Sequence, residues 1–155
     1  MSYIAKARIA LILICLPMSV YSDELKFFTT DGCSAFPNGT LDQQSLWVNC
    51  CVSHDLAYWK GGSYDERLLA DQSLESCVAK VGEPEIARIM LAGVRVGGSP
   101  FYPTPYRWGY GWPYMRGYKP LSEQEKLQVR EKLEMLEIMI RGISSELGLD
   151  ETSIK

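Results

Sequence analysis

Towards the C-terminus the chain carries its plainest periodicity. Val129, Leu133, Leu136, Ile140, Ile143 and Leu147 follow one another at alternating gaps of four and three. That is the spacing of a helix whose apolar seam packs against another helix. Ser122 and Glu125 form a capping box at its start and Gly148 a stop, so the pattern predicts a helix over residues 122–147. This helix either docks on the rest of the chain or pairs with a second copy; six seam positions are few for a coiled coil, which favours docking. Upstream, residues 84–96 read as a short apolar helix opened by Pro84 and closed by Gly97 and Gly98. A second capping box, Ser63 with Glu66, begins a helix that runs towards Gly82. Before it, a helix over residues 42–59 is stopped by Gly61 and Gly62. Two helices with so short a link must fold back on each other as an antiparallel hairpin. The predicted fold class is all-α.

Composition sets the scale. With 155 residues and 46% hydrophobic content the chain builds one globular domain. The N-terminus reads separately: Lys6 and Arg8 precede the apolar run IALILICL, followed by Pro17 and a cleavage spacing ending at Ser22. Residues 1–22 are thus expected to be a secretory leader, which places the mature protein outside the cell or in a periplasm. The run is shorter than the roughly 20 residues that span a bilayer; an uncleaved anchor is the plainer alternative. Loss of Lys6 and Arg8 removes two positive charges and takes the net charge from −3 to −5. An acidic protein has no bulk electrostatic reason to seek nucleic acid.

Export changes the meaning of the cysteines. Without Cys15 there remain Cys33, Cys50, Cys51 and Cys77, an even set that favours two disulfides in an oxidising compartment. Adjacent residues on a helix point about 100° apart, so Cys50 and Cys51 reach different partners, which leaves Cys33 and Cys77 to be shared between them. A zinc site is the weaker reading, because no second ligand pair accompanies the cysteines and histidine.

Between those cysteines and Gly62 lies the segment CCVSHDLAYWKGG, which holds the one histidine of the chain. Cys50, His54 and Tyr58 recur every four residues and share a helix face, with Cys51 and Asp55 on the neighbouring row. Asp71 lies about two turns before Cys77 on the partner helix. If Cys50 bonds Cys77, antiparallel geometry carries Asp71 to the level of His54 and Tyr58. A carboxylate on one imidazole nitrogen fixes the tautomer and leaves the other free to take a proton, which is a general-base arrangement. Each residue has a bland reading too: a structural histidine, a solvated Asp55, an Asp71 paired with Arg67 one turn earlier, a core Tyr58.

The run CC..HD..Y followed by AD.....C resembles the secreted phospholipase A2 superfamily over residues 31–78. The resemblance implies a disulfide-stapled helix hairpin of that type with additional C-terminal helices, and the pairings Cys33–Cys51 and Cys50–Cys77. It implies that His54 is the base, that Asp71 orients it with help from Tyr58, and that Asp55 binds calcium together with loop carbonyls of Gly32, Ser34 and Phe36. The reaction would be hydrolysis of the sn-2 ester of a glycerophospholipid at a membrane surface. Where the family often has a further inter-helix disulfide, this chain holds Ala57 and Ala70, both halves being absent together. Two departures stand out. Ser34 and Phe36 occupy positions where the family's calcium loop has glycines, and the link KGGS leaves no room for the strands and second supporting tyrosine of the animal enzymes. The closer likeness is to pared-down microbial members. An unusual calcium loop also keeps open a second reading, a non-catalytic module that binds a membrane or a partner protein.

Residues 99–120 are biased towards Tyr, Trp, Pro and Gly. Trp108, Trp112 and the nearby tyrosines either meet a lipid interface or wrap the hairpin with Arg107 stacked among rings; a long irregular segment needs packing to stay ordered, which favours wrapping.

Overall fold

Glycine and capping signals set three of the four helices almost as read. The computed structural model describes residues 23–149, so the expected leader at residues 1–22 lies outside the described residues. Its helices are α1 (Val48–Lys60), α2 (Tyr64–Lys80), α3 (Pro84–Gly97) and α4 (Glu123–Glu146), with no strand among the described residues. Both capping boxes are formed: Ser63 accepts from the Glu66 amide, Ser122 from the Glu125 amide, and each glutamate reaches back. The exception is α1, which starts at Val48 rather than near Asp42. Residues 38–47 instead double back in turns, with the Trp47 amide donating to Asn38 O at 3.1 Å and its indole to Pro37 O at 2.6 Å. Anchoring that large ring inward leaves the preceding backbone on a return path that a helix could not follow.

Two disulfides fasten the first half. Cys33 bonds Cys51, tying the loop before α1 to α1, and Cys50 bonds Cys77, tying the start of α1 to the end of α2. The second link requires the two helices to run antiparallel. All four of these cysteines are thus spent on disulfides, which removes the zinc alternative. Such bonds persist in oxidising surroundings. No helix among the described residues is long and apolar enough to cross a membrane. One apolar core lies around Trp47, Leu74, Val78 and Met90, where α3 covers α2.

A second core forms around Trp59, Trp112, Leu25 and Val129. Residues 99–120 make it possible by capping the end of α1, whose last carbonyls have no partner within the helix. Gly109 N donates to Tyr58 O at 2.7 Å, Gly111 N to Trp59 O at 3.1 Å, Trp112 Nε1 to Lys60 O at 2.8 Å and Trp108 Nε1 to Gly62 O at 2.9 Å. Trp108 and Trp112 are 1% and 0% exposed, so these two rings are structural and do not meet lipid. Arg107 donates to Gly109 O and Trp112 O and lies over the Tyr114 ring, as the wrapping alternative requires. Gly61 has φ +65°, and a Cβ there would stand 2.8 Å from Gly109 Cα, so the close crossing of the two backbones needs glycine.

Docking of α4 is partial. Val129 is buried and Leu133 packs beside it, but Ile140, Ile143 and Leu147 are exposed, so the outer turns of the predicted seam extend past the body. The docked end is fixed by Glu125, whose carboxylate takes Arg116 at 2.5 Å and caps Ser122 N at 2.7 Å. The Arg116 hydrogen bond holds Glu125 down at about 2, against an ordinary value of 4.5. A carboxylate lowered on folding adds stability above its ordinary value and loses it as pH falls through the lowered one. The difference in thermal midpoint between the wild type and Glu125→Gln is therefore expected to be constant above about pH 5 and to close between about pH 5 and 2. Melts over that range check it; a gap of the same size at both ends would exclude this linkage.

Candidate functional site

One turn of α1 separates His54 from Tyr58, and their rings lie side by side with centroids 4.2 Å apart. Across the hairpin, α2 brings Asp71 to both: Asp71 Oδ1 stands 3.1 Å from His54 Nε2 and accepts from the Tyr58 hydroxyl at 2.7 Å. Asp71 is 0% exposed and His54 8%. A carboxylate only accepts, so a neutral imidazole facing it donates from Nε2 and has Nδ1 as its acceptor. Burial drives the Tyr58 hydroxyl far above its ordinary value, so it stays a donor.

The bland reading of Asp71 is partly right as well. Arg67 Nε lies 4.0 Å from Oδ2, but closer contact comes from Arg95 on α3, whose Nε is 2.8 Å away. Arg67, 4% exposed, is a hub: it donates to Tyr58 Oη at 3.1 Å, Tyr118 Oη at 2.6 Å and the carbonyls of Val94 and Arg95 at 2.9 Å. These bonds fasten the last turn of α3 to α2. Sequence spacing offered Arg67 as a neighbour of Asp71; it offered nothing for Arg95, which arrives from a separate helix.

Asp55 faces the same cavity as His54 and is 7% exposed. Burial raises its carboxyl above the ordinary range, against the Thr30 hydroxyl that donates to Oδ2 at 2.6 Å and the nearby His54; the charge of Asp31 raises it further. Among the described residues no lysine or arginine forms an ion pair with Asp55. Asp31 accepts from the Ser34 and Tyr106 hydroxyls.

Gly32, Ser34 and Phe36 line this cavity too. Gly32 and Ser34 adopt positive φ, +80° and +56°, which turns the loop backbone sharply at both. Cys33 O is taken by Phe36 N at 3.1 Å, whereas the carbonyls of Gly32, Ser34 and Phe36 accept no internal hydrogen bond among the described residues. Asp55 and the backbone of this loop line one cavity and offer oxygen donors, the donor type that a hard cation such as calcium takes. No cluster of three or more His, Cys, Asp or Glu side chains that could hold a metal occurs among the described residues, so such an ion would rest on backbone oxygen and one carboxylate.

The cavity holds about 370 Å³, within the roughly 300–1,000 Å³ of small-molecule sites. Ile89, Met90 and Val94 from α3 and Leu74 from α2 give the cavity an apolar lining. At its rim α3 ends on Gly98, where a Cβ would stand 2.4 Å from Tyr58 Oη. Gly98→Ala is accordingly expected to push Tyr58 off Asp71 and to cost about 1–3 kcal/mol by overpacking. Gly93→Ala, where a Cβ meets nothing within 4 Å, is expected to hold or raise stability. Thermal melts of the two variants check the contrast; equal midpoints would refute it.

Comparison with protein-family models, curated proteins and solved structures gave no match for the chain, which leaves the geometry of these residues as the basis for its function.

Proposed function

We propose that the protein is an exported, calcium-dependent hydrolase of the phospholipase A2 type that cleaves the sn-2 ester of glycerophospholipids. The observation that carries this reading is that His54 and Tyr58, both hydrogen-bonded to the buried Asp71, line an apolar cavity together with Asp55 and the loop residues Gly32, Ser34 and Phe36. His54 Nδ1 takes a proton from water, and the oxygen so activated attacks the ester carbonyl. Asp71 balances the imidazolium that forms, and Tyr58 keeps Oδ1 in place. The proton then passes from His54 to the departing alkoxide, giving a free fatty acid and a lysophospholipid. The wall from α3 receives an acyl chain and keeps bulk water from the reacting carbonyl.

Calcium would be held by Asp55 and the carbonyls of Gly32, Ser34 and Phe36, and when bound would polarise the ester carbonyl and stabilise its developing negative charge. The loss of glycine at Ser34 and Phe36 does not count against this, because the donors are backbone atoms. The test is fatty-acid release from mixed phospholipid vesicles by the oxidised mature protein, with calcium and then with a chelator. Release that drops by at least about a hundredfold on chelation is expected. No release in either condition, from protein shown to be folded, would move the reading to a module that binds membrane or protein without turnover.

A further inference from the structure

Asp71 uses its two oxygens differently. Oδ1 serves His54 and Tyr58, at 3.1 and 2.7 Å, while Oδ2 faces Arg95 Nε at 2.8 Å. Neither Oδ2 nor Arg95 Nε forms a hydrogen bond among the described residues, so the pair touches off the hydrogen-bond direction and attracts as opposite charges in contact. A wholly buried carboxylate needs such a counter-charge. Arg67, the other guanidinium near Oδ2, stands at 4.0 Å and spends its nitrogens on Tyr58, Tyr118 and the carbonyls of α3. Tyr58 and His54 are the remaining polar groups on Asp71, and both are on Oδ1. That leaves Arg95 as the counter-ion of Oδ2, its Nη2 steadied by Leu68 O at 3.2 Å.

We infer that Arg95 is a positioning residue of this site: by holding Oδ2 it balances the buried charge of Asp71 and turns Oδ1 towards His54 and Tyr58. Without Arg95 the carboxyl plane is free to turn and its charge is unbalanced, so the acceptor that orients the imidazole weakens. The dependence is asymmetric. A group on α3, distant in sequence and outside the hairpin, controls a base on α1 only through a side chain on α2.

The role of His54 as base rests on the proposed hydrolase reading, but the control of its orientation does not, and the test separates the two. His54 is the one histidine of the chain, so acylation by diethyl pyrocarbonate, followed by imidazole absorbance, reports this residue alone. The rate is read at a pH high enough that it no longer varies with pH. Arg95→Gln and Arg95→Lys are each made in the wild type and beside Asp71→Asn, with Arg88→Gln, an exposed arginine of α3, as control. Arg95→Gln is expected to slow acylation about tenfold and Arg95→Lys, which keeps the charge, about two- to threefold. Neither should slow Asp71→Asn further. An unchanged or faster rate for Arg95→Gln, or a slowing that persists beside Asp71→Asn, overturns the inference. If Arg95→Gln does not fold, Arg95→Lys decides: a small slowing that vanishes beside Asp71→Asn supports the role, and one that persists, or none, overturns it. Where vesicle hydrolysis is measurable, kcat should follow the acylation rates while KM stays within about twofold. Absent hydrolysis with coupled acylation rates would refute the hydrolase reading and leave Arg95 in its role.

Discussion

Under the proposed function, replacing His54 with glutamine is expected to cut phospholipid hydrolysis at least about a thousandfold while leaving the fold intact. Glutamine has no group that takes a proton near neutral pH, so the proposed base is removed. It does retain an amide that can donate to Asp71 Oδ1, where His54 Nε2 now sits at 3.1 Å, so the buried carboxylate keeps a partner. The two effects separate in one experiment. Fatty-acid release should fall to background, and the thermal midpoint should move by no more than a few degrees. A variant that keeps a tenth of the wild-type rate would show that His54 does not act as the base. If release is lost together with the far-ultraviolet circular dichroism, the residue is structural first.

The largest effect on stability is expected at Trp112. Its side chain is 0% exposed in the second core, its indole nitrogen caps Lys60 O at 2.8 Å, and Arg116 lies 4.6 Å above its ring. Trp112→Ala creates a cavity worth about 3–5 kcal/mol and leaves the Lys60 carbonyl without its donor, which adds about 1 kcal/mol or more. Against a total of about 5–15 kcal/mol for a domain, that is enough to bring the chain close to unfolding at room temperature. Urea titration checks it, with Leu41→Ala as the control: Leu41 is 97% exposed, and its truncation should change stability by no more than about 0.5 kcal/mol. Equal midpoints for the two variants would mean that residues 99–120 do not hold the end of α1.

How far the sequence revealed this arrangement depended on the range of each interaction. Capping boxes at Ser63 and Ser122 are local, four-residue events, and both are formed. The face shared by Cys50, His54 and Tyr58 follows from helix geometry alone, and the resemblance supplied the two disulfide pairings that the structure contains. α1 starts later than its sequence signals predict because the inward anchoring of Trp47 is a tertiary effect that outweighs helix propensity over residues 42–47. The seam of α4 is docked only at its start; periodicity says which residues share a face and not how far a neighbour extends beneath them. Arg95, Gly98 and Tyr106 reach the site from outside the hairpin, and no spacing along the chain announces such contacts. Thr30 and Asp31 adjoin the loop of Gly32, Ser34 and Phe36, but their partners Asp55 and Tyr106 lie 25 and 75 residues away, beyond the reach of local spacing.

Both cross-links end on adjacent residues, Cys50 and Cys51, with His54 one turn beyond Cys50. Their sequence separations are 18 and 27, for which loop-closure entropy gives about 3 kcal/mol each, together a large share of the stability of a domain. The chain with free thiols is therefore expected to be weakly folded, with neither the loop that carries Gly32, Ser34 and Phe36 nor the helix that carries Asp71 fastened to the helix of His54. A cytosol that keeps thiols reduced would hold the chain in that state. Under the proposed function this is a safeguard in time and place: the producing cell makes the protein beside its own membrane, and the capacity to attack a membrane arises only after the chain has left.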